Sequence, residues 1–211
     1  MKRSDRLVLE QEIKLSASDP EILHSAIGSA LIRSYMTKRA EPARYVSRYH
    51  DTKKRVFQQL RCSLRSRIEG DVMRATFKEK GSIVDGLSRH SELEADIDDW
   101  LRSPGMLPPG VLRDRVLQLV DENEPLETIV AVEMTRTILE LAVNETKMEC
   151  AVDIGQVSAN GRSVPLYELE LELKRGKLAT MREIAEKLKA HYDLRWSEET
   201  KLAVGMRLWN E

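Results

Sequence analysis

Glu10, Glu12 and Lys14 stand at alternate positions near the start of the chain, and Glu168, Glu170, Glu172 and Lys174 repeat that arrangement near its end. Crowded carboxylates offer hard oxygen ligands, the donors that Mg²⁺ and Mn²⁺ accept while they keep several waters and bridge phosphates. Between the two runs the sign reverses. Leu64-Arg65-Ser66-Arg67-Ile68 sets two guanidinium groups on one side, and Ala75-Thr76-Phe77-Lys78-Glu79-Lys80 does the same with two ammonium groups. Guanidinium forks grip phosphate oxygens in pairs, whereas Lys14, Lys78 and Lys201 would act as compact point charges. Acids for a metal and bases for a polyanion together suit phosphoryl chemistry.

A spacing of two demands strands. Leu9, Ile13 and Leu15 alternate with the first charged run, and Leu169, Leu171 and Leu173 with the last, so each run faces one side of its sheet. Taken singly, such a strand is an ordinary half-buried antiparallel strand showing its polar face to water. Repetition with opposite sign on the middle strands is what a closed barrel with a charged lumen needs. The fold class expected is therefore mainly antiparallel β (α+β), a closed barrel of eight to nine strands with flanking helices. The 211 residues are read as one domain, 1–211, with a helical insert at about 98–127.

After the first strand, Ser18-Asp19-Pro20-Glu21 starts a helix expected to run to about Ile32, with Gly28 inside it. Strands are expected over Arg44–Thr52, Cys62–Ile68, Val72–Lys78 and Ser88–Ile97, with a hairpin turn at Glu69-Gly70-Asp71. Pro104, Gly105, Pro108, Pro109 and Gly110 then divide two short helical pieces, Asp98–Arg102 and Val111–Val120. Strands resume at Ile129–Thr135, Thr137–Asn144, Lys147–Val157 and Val164–Leu173, the last two joined at Asn160-Gly161. A helix over Thr180–Ala190 and a short final strand, Lys201–Leu208, complete the reading.

Alternation adds Glu92 and Glu94, preceded by Arg89, to the lumen set, together with Arg136, Glu149, Asp153, Lys201 and Arg207. So many charges cannot share a dry interior, because each unpaired buried charge is strongly unfavourable. They call for water, metal and an anionic ligand, and the absence of imidazole or thiolate from the stripe disfavours zinc. Lys+Arg 34 against Asp+Glu 35 leaves a net charge of -1, which excludes a general nucleic-acid binder. No window reads as a membrane span and no apolar run follows the charged N-terminus, so a cytoplasmic protein is expected. Cys62 and Cys150 match no metal or redox spacing and are read as buried thiols. His24, His50, His90 and His191 are read as surface or structural residues, and Trp100, Trp196 and Trp209 as packing residues.

Glu10-Gln11-Glu12-Ile13-Lys14 resembles the Glu-X-Glu-X-Lys signature of the CYTH superfamily, the triphosphate tunnel metalloenzymes. Tyr49-His50-Asp51-Thr52 resembles that family's aromatic-aromatic-Asp-Thr segment, with His50 in the second aromatic place. Leu64-Arg65-Ser66-Arg67, Thr76-Phe77-Lys78 and the acidic strand from Tyr167 to Leu173 follow in the family's order, and Lys201 stands where a late lysine does. The resemblance covers roughly residues 7 to 208 and implies a divalent-metal-dependent triphosphatase acting on inorganic triphosphate or a related compound. It implies metal ligation by Glu10, Glu12 and one or more of Glu168, Glu170 and Glu172, with Glu94 and Asp153 for a second ion, either Mg²⁺ or Mn²⁺. Phosphates would be held by Lys14, Arg65, Arg67, Lys78, Lys80, Arg136 and Lys201. Lys14, Lys201, Glu94 and Asp153 would take part in the chemistry. Alternatives are a class IV adenylyl cyclase or a polyphosphate- or nucleotide-binding module. The expected partner is a small triphosphate, with neither nucleic acid nor membrane, and a homodimer is left open.

Overall fold

A computed structural model of the protein describes residues 8–210. Its strands are β1 (Val8–Ser16), β2 (Met36–Arg39), β3 (Ala43–Thr52), β4 (Cys62–Glu69), β5 (Val72–Val84), β6 (Leu87–Asp96), β7 (Leu126–Val143), β8 (Thr146–Ala159), β9 (Arg162–Arg175) and β10 (Arg195–Trp196). Its helices are α1 (Pro20–Ile27), α2 (Ala30–Tyr35), α3 (Val56–Gln59), α4 (Val111–Leu117), α5 (Leu178–His191) and α6 (Lys201–Asn210).

Eight strands close on themselves in the order β1-β6-β5-β4-β3-β7-β8-β9, with β9 pairing back to β1. Every pairing in the ring is antiparallel. β1 is the closing strand: Val8 to Ile13 pair with β6, and Glu12 to Ser16 pair with β9. β2 hangs from β7 and β10 from the end of β1. Closure leaves the ring no free edge.

The barrel is apolar outside and charged within, so the helices must cover its outer face. α1, α2 and α5 bury Leu23, Ile32, Met181, Ile184 and Leu188 against Ile13, Leu15, Leu139, Cys150, Leu169 and Leu171. The segment between β6 and β7 wraps β4, β5 and β6, packing Leu101, Leu107, Leu112 and Val116 on Leu64, Phe77 and Leu93. α6 instead packs on the apolar end of the lumen, where Leu208 joins Tyr49, Val130, Val132, Met134, Val157 and Leu166. No helix among the described residues is long and apolar enough to cross a membrane.

Four expectations about elements are corrected. Lys201–Leu208 is helix α6, not a strand. Alternating apolar residues suggested period two, yet Lys201, Gly205 and Leu208 are the buried positions, which is a helical spacing, and the Thr200 hydroxyl accepts Ala203 N–H at 3.0 Å to start the turn. The helix to Ile32 is two helices. Gly28 ends the first, and Ser29 starts the second by accepting Ile32 N–H at 3.1 Å. Ile129–Thr135 and Thr137–Asn144 are one strand, β7, because Arg136 keeps the lumen phase and interrupts nothing. Asp98–Arg102 forms no helix; a 3₁₀ turn at Pro104–Met106 takes its place. α3, β2 and β10, each four residues or fewer, escaped the periodicity.

Candidate active site in the barrel lumen

The strand order sorts the charges. Most of the acids lie on four adjacent strands, Glu149 on β8, Glu170 and Glu172 on β9, Glu10 and Glu12 on β1, and Glu92 and Glu94 on β6, while Glu69 on β4 and Glu79 on β5 line the cavity among the bases and Lys14 and Lys174 among the acids. Bases occupy the opposite arc: Lys78 and Arg74 on β5, Arg65 and Arg67 on β4, and Arg136 on β7. Both arcs line one cavity of about 930 Å³, which Tyr45 and Tyr49 of β3 also face. α6 brings Lys201 in from its first turn. Its Gly205 lies so close to β7 that a Cβ there would meet both γ-carbons of Val130 at 2.4 Å.

Two lysines and one arginine bind the acidic arc together. Lys201 Nζ donates to Glu168 Oε2 at 2.5 Å and Glu170 Oε1 at 2.8 Å, and sits 3.0 Å from Asp153 Oδ2. Lys14 Nζ donates to Glu170 Oε1 at 2.8 Å and lies 3.2 Å from Glu12. Arg136 meets both oxygens of Asp153 at 2.6 Å and Glu170 Oε2 at 2.6 Å. Burial by itself would raise the Glu170 carboxyl, yet Lys14, Lys201 and Arg136 hold it well below the usual carboxylate range. Burial would likewise lower Lys14 and Lys201, and their carboxylate neighbours push both up instead. These groups stay charged because each is satisfied several times over.

A second knot joins β1, β5 and β6. His90 Nε2 lies 2.6 Å from Glu92 Oε1, 3.3 Å from Glu10 Oε2 and 3.0 Å from Lys78 Nζ. Lys78 also pairs with Glu92. Burial opposes protonation of His90, but its bonds to Glu10 and Glu92 raise it. Burial opposes ionisation of Glu92, and Lys78 and His90 hold that carboxyl well below its usual range. Glu172 is different. Burial pushes it up to about 7, with its Lys174 bond opposing and Glu10 adding repulsion.

Most of the residues picked from the sequence converge here. Glu10, Glu12, Lys14, Arg65, Arg67, Lys78, Glu94, Arg136, Glu170, Glu172 and Lys201 all line the cavity. Asp153 and Glu168 lie behind that lining. Asp153, wholly buried, is spanned by Arg136 and Lys201, and Glu168 meets Lys201 and the Ser197 hydroxyl at 3.2 Å. The Lys80 side chain lies outside the described residues. His90 is the functional candidate that sequence reasoning passed over, and it corrects the expectation that the lumen stripe carries no imidazole. It shares the phase of Ser88, Glu92 and Glu94 on β6, a signal of period two that was present but read as structural. The Asp-Thr step of the Tyr49 segment is structural: Asp51 accepts N–H bonds from Thr52, Phe57 and Gln58 and so pins the turn into α3.

The donor chemistry fits a hard divalent cation. Ligand atoms of Asp153, Glu168 and Glu170 lie within 4.8 Å of one another, as do those of Glu10, His90 and Glu92. The first group already closes on the Lys201 ammonium, which a metal would have to displace. Glu10, Glu12 and Glu172 face the cavity from paired strands with fewer cations against them. They present oxygen donors of the type Mg²⁺ and Mn²⁺ accept.

Known proteins share this architecture. The chain is 26% identical over 165 residues to an inorganic triphosphatase of Haemophilus influenzae; that stretch is 76% of this chain and 44% of the relative. The chain thus spans less than half the length of that relative. Among solved structures, an adenylyl cyclase candidate from Hippeastrum with a dominant triphosphatase activity superposes with TM-score 0.69 at 18% identity, covering 94% of this chain and 95% of that one. An adenylate cyclase candidate from Bacillus halodurans gives TM-score 0.60 at 18% identity, covering 92% and 96%. At these identities the likeness is one of fold. Residues 9–206 match the CYTH domain family throughout, and the chain belongs to that family.

Proposed function

We propose that the protein is a divalent-metal-dependent triphosphatase that hydrolyses inorganic triphosphate or a related triphosphate compound in the barrel lumen. The observation that carries this reading is the unequal charge of the cavity wall, with most carboxylates on β8, β9, β1 and β6 and most guanidinium groups on β5, β4 and β7 across from them. A polyanion would lie along Arg65, Arg67, Lys78 and Arg136, with Lys14 and Lys201 contributing charge from the acidic side. Glu10, Glu12 and Glu172 would hold Mg²⁺ or Mn²⁺, which when bound neutralises and orients phosphate oxygens. Asp153 and Glu168 act as positioning residues, fixing Arg136 and Lys201 from behind. Phosphoryl transfer needs little covalent help from protein groups, and a preorganised set of charges is what catalysis of this class chiefly requires.

The test is phosphate release from inorganic triphosphate, ATP and thiamine triphosphate, each with Mg²⁺, Mn²⁺ or EDTA. Rapid release that EDTA abolishes supports the reading and names the substrate class. Silence on all three, with tight triphosphate binding retained, favours a binding module instead. A cavity of about 930 Å³ has room for a nucleoside beside its phosphates, which keeps a class IV adenylyl cyclase as the second reading. Pyrophosphate and a cyclic nucleotide as the products from ATP would establish that one.

A further inference from the structure

Arg65 differs from the other lumen cations. Lys14, Lys78, Arg136 and Lys201 each hold a buried carboxylate. Arg65 is 7% exposed, and among the described residues no carboxylate lies within ion-pair reach of it. Its Nη2 donates to the Thr76 hydroxyl at 3.1 Å, and its buried Nε has no partner. A buried guanidinium left this free is costly unless an anion completes it.

An acid is nevertheless close by. In the sheet register Arg65 of β4 stands opposite Thr76 of β5, and Thr76 stands opposite Glu94 of β6. Thr76, 1% exposed, accepts from Arg65 and donates its own O–H to Glu94 Oε1 at 3.3 Å. One hydroxyl both accepts and donates. Base, neutral spacer and acid are thus laid across three strands on one face, where cross-strand side chains touch and diagonal ones reach each other.

We propose that Thr76 is a positioning residue that holds the Arg65 guanidinium off Glu94 and so keeps its remaining N–H groups free for an oxygen of the substrate's phosphates. The proposal rests on the triphosphate reading. Without the Thr76 hydroxyl, Arg65 loses its tether and turns to Glu94, and the pair neutralises itself.

The experiment is calorimetric titration with inorganic triphosphate in EDTA, so that metal ligation does not enter. Thr76→Val keeps the shape and removes the hydroxyl; the expected loss of affinity is about 10–100-fold, the range for one charged hydrogen bond. Thr76→Ser should bind as the wild type does. Adding Glu94→Gln to Thr76→Val should restore affinity to within about threefold, because the competing partner is then neutral. Thr76→Ala serves in the same way should the valine variant melt early. Unchanged binding by Thr76→Val overturns the proposal, and so does failure of Glu94→Gln to rescue, since Thr76 would then act only through packing. Failure of the wild type to bind triphosphate in EDTA overturns this proposal, whereas the functional reading falls only if no phosphate is released with Mg²⁺ or Mn²⁺ present, so the two failures are distinguishable.

Discussion

Replacing Lys201 with Met leaves a neutral side chain of similar length among three carboxylates. Their losses are unequal. Asp153 keeps both 2.6 Å bonds from Arg136, and Glu170 keeps Lys14 at 2.8 Å and Arg136 at 2.6 Å. Glu168, 5% exposed, keeps only the Ser197 hydroxyl at 3.2 Å. The variant therefore creates one orphaned buried charge, and removing one partner of a buried pair costs about 3–5 kcal/mol. For a chain of this size that is a fall of about 10 °C in melting temperature. Adding Glu168→Gln should recover most of the loss at neutral pH while activity stays absent. The assay is thermal and urea denaturation of the wild type and both variants at neutral pH. A Lys201→Met variant melting within about 2 °C of the wild type, or a double variant no more stable than the single, would refute the assignment of Glu168 to Lys201.

Three further outcomes are expected. Gly205→Ala in α6 would gain about 1 kcal/mol on helix propensity alone; here its Cβ meets the stiff, buried Val130 at 2.4 Å, so denaturation should show a net loss of about 1 kcal/mol, reversed by pairing it with Val130→Ala. Burial, with Arg48 adding to it, lowers His50 from 6.5 to about 4. The unfolded chain then takes up a proton near pH 6.5 that the folded one refuses until near pH 4, so up to about 3 kcal/mol present above pH 6.5 is lost between those values. His50→Gln should flatten that part of the stability profile, and parallel wild-type and variant profiles would contradict it. Glu12→Gln should cut metal-dependent turnover at least about 100-fold while triphosphate binding in EDTA persists; equal turnover would remove Glu12 from the metal wall.

Period-two alternation identified the long barrel strands because a lumen that must stay wet on one face and an exterior that must be covered on the other leave an unmistakable pattern. It misled at α6, where the apolar residues Leu202, Val204, Met206 and Leu208 at even positions imitate a strand and only the buried set Lys201, Gly205 and Leu208 betrays a helix. It also cut β7 at Arg136, where a charge in the middle of an apolar stretch looked like a break although it kept the lumen phase. The short elements α3, β2 and β10 were invisible, since four residues or fewer carry no period to detect.

Which residues carry charge, and which face of each strand they share, the sequence determined by itself: Glu10, Glu12, Arg65, Arg67, Lys78, Glu170 and Glu172 all reach the lumen that their spacing required. Only the tertiary structure decided how those faces are ordered around the ring and which charges neutralise one another. Strand order joins residues far apart in the chain, so no local pattern could say that Lys201 would meet Asp153, Glu168 and Glu170 or that His90, beside Glu92 on its own strand, would also reach Glu10. Nor could it say that Arg65 would be left with a hydroxyl for a partner. Electrostatic pairing depends on separations of a few ångströms in space, and the folded barrel alone sets those.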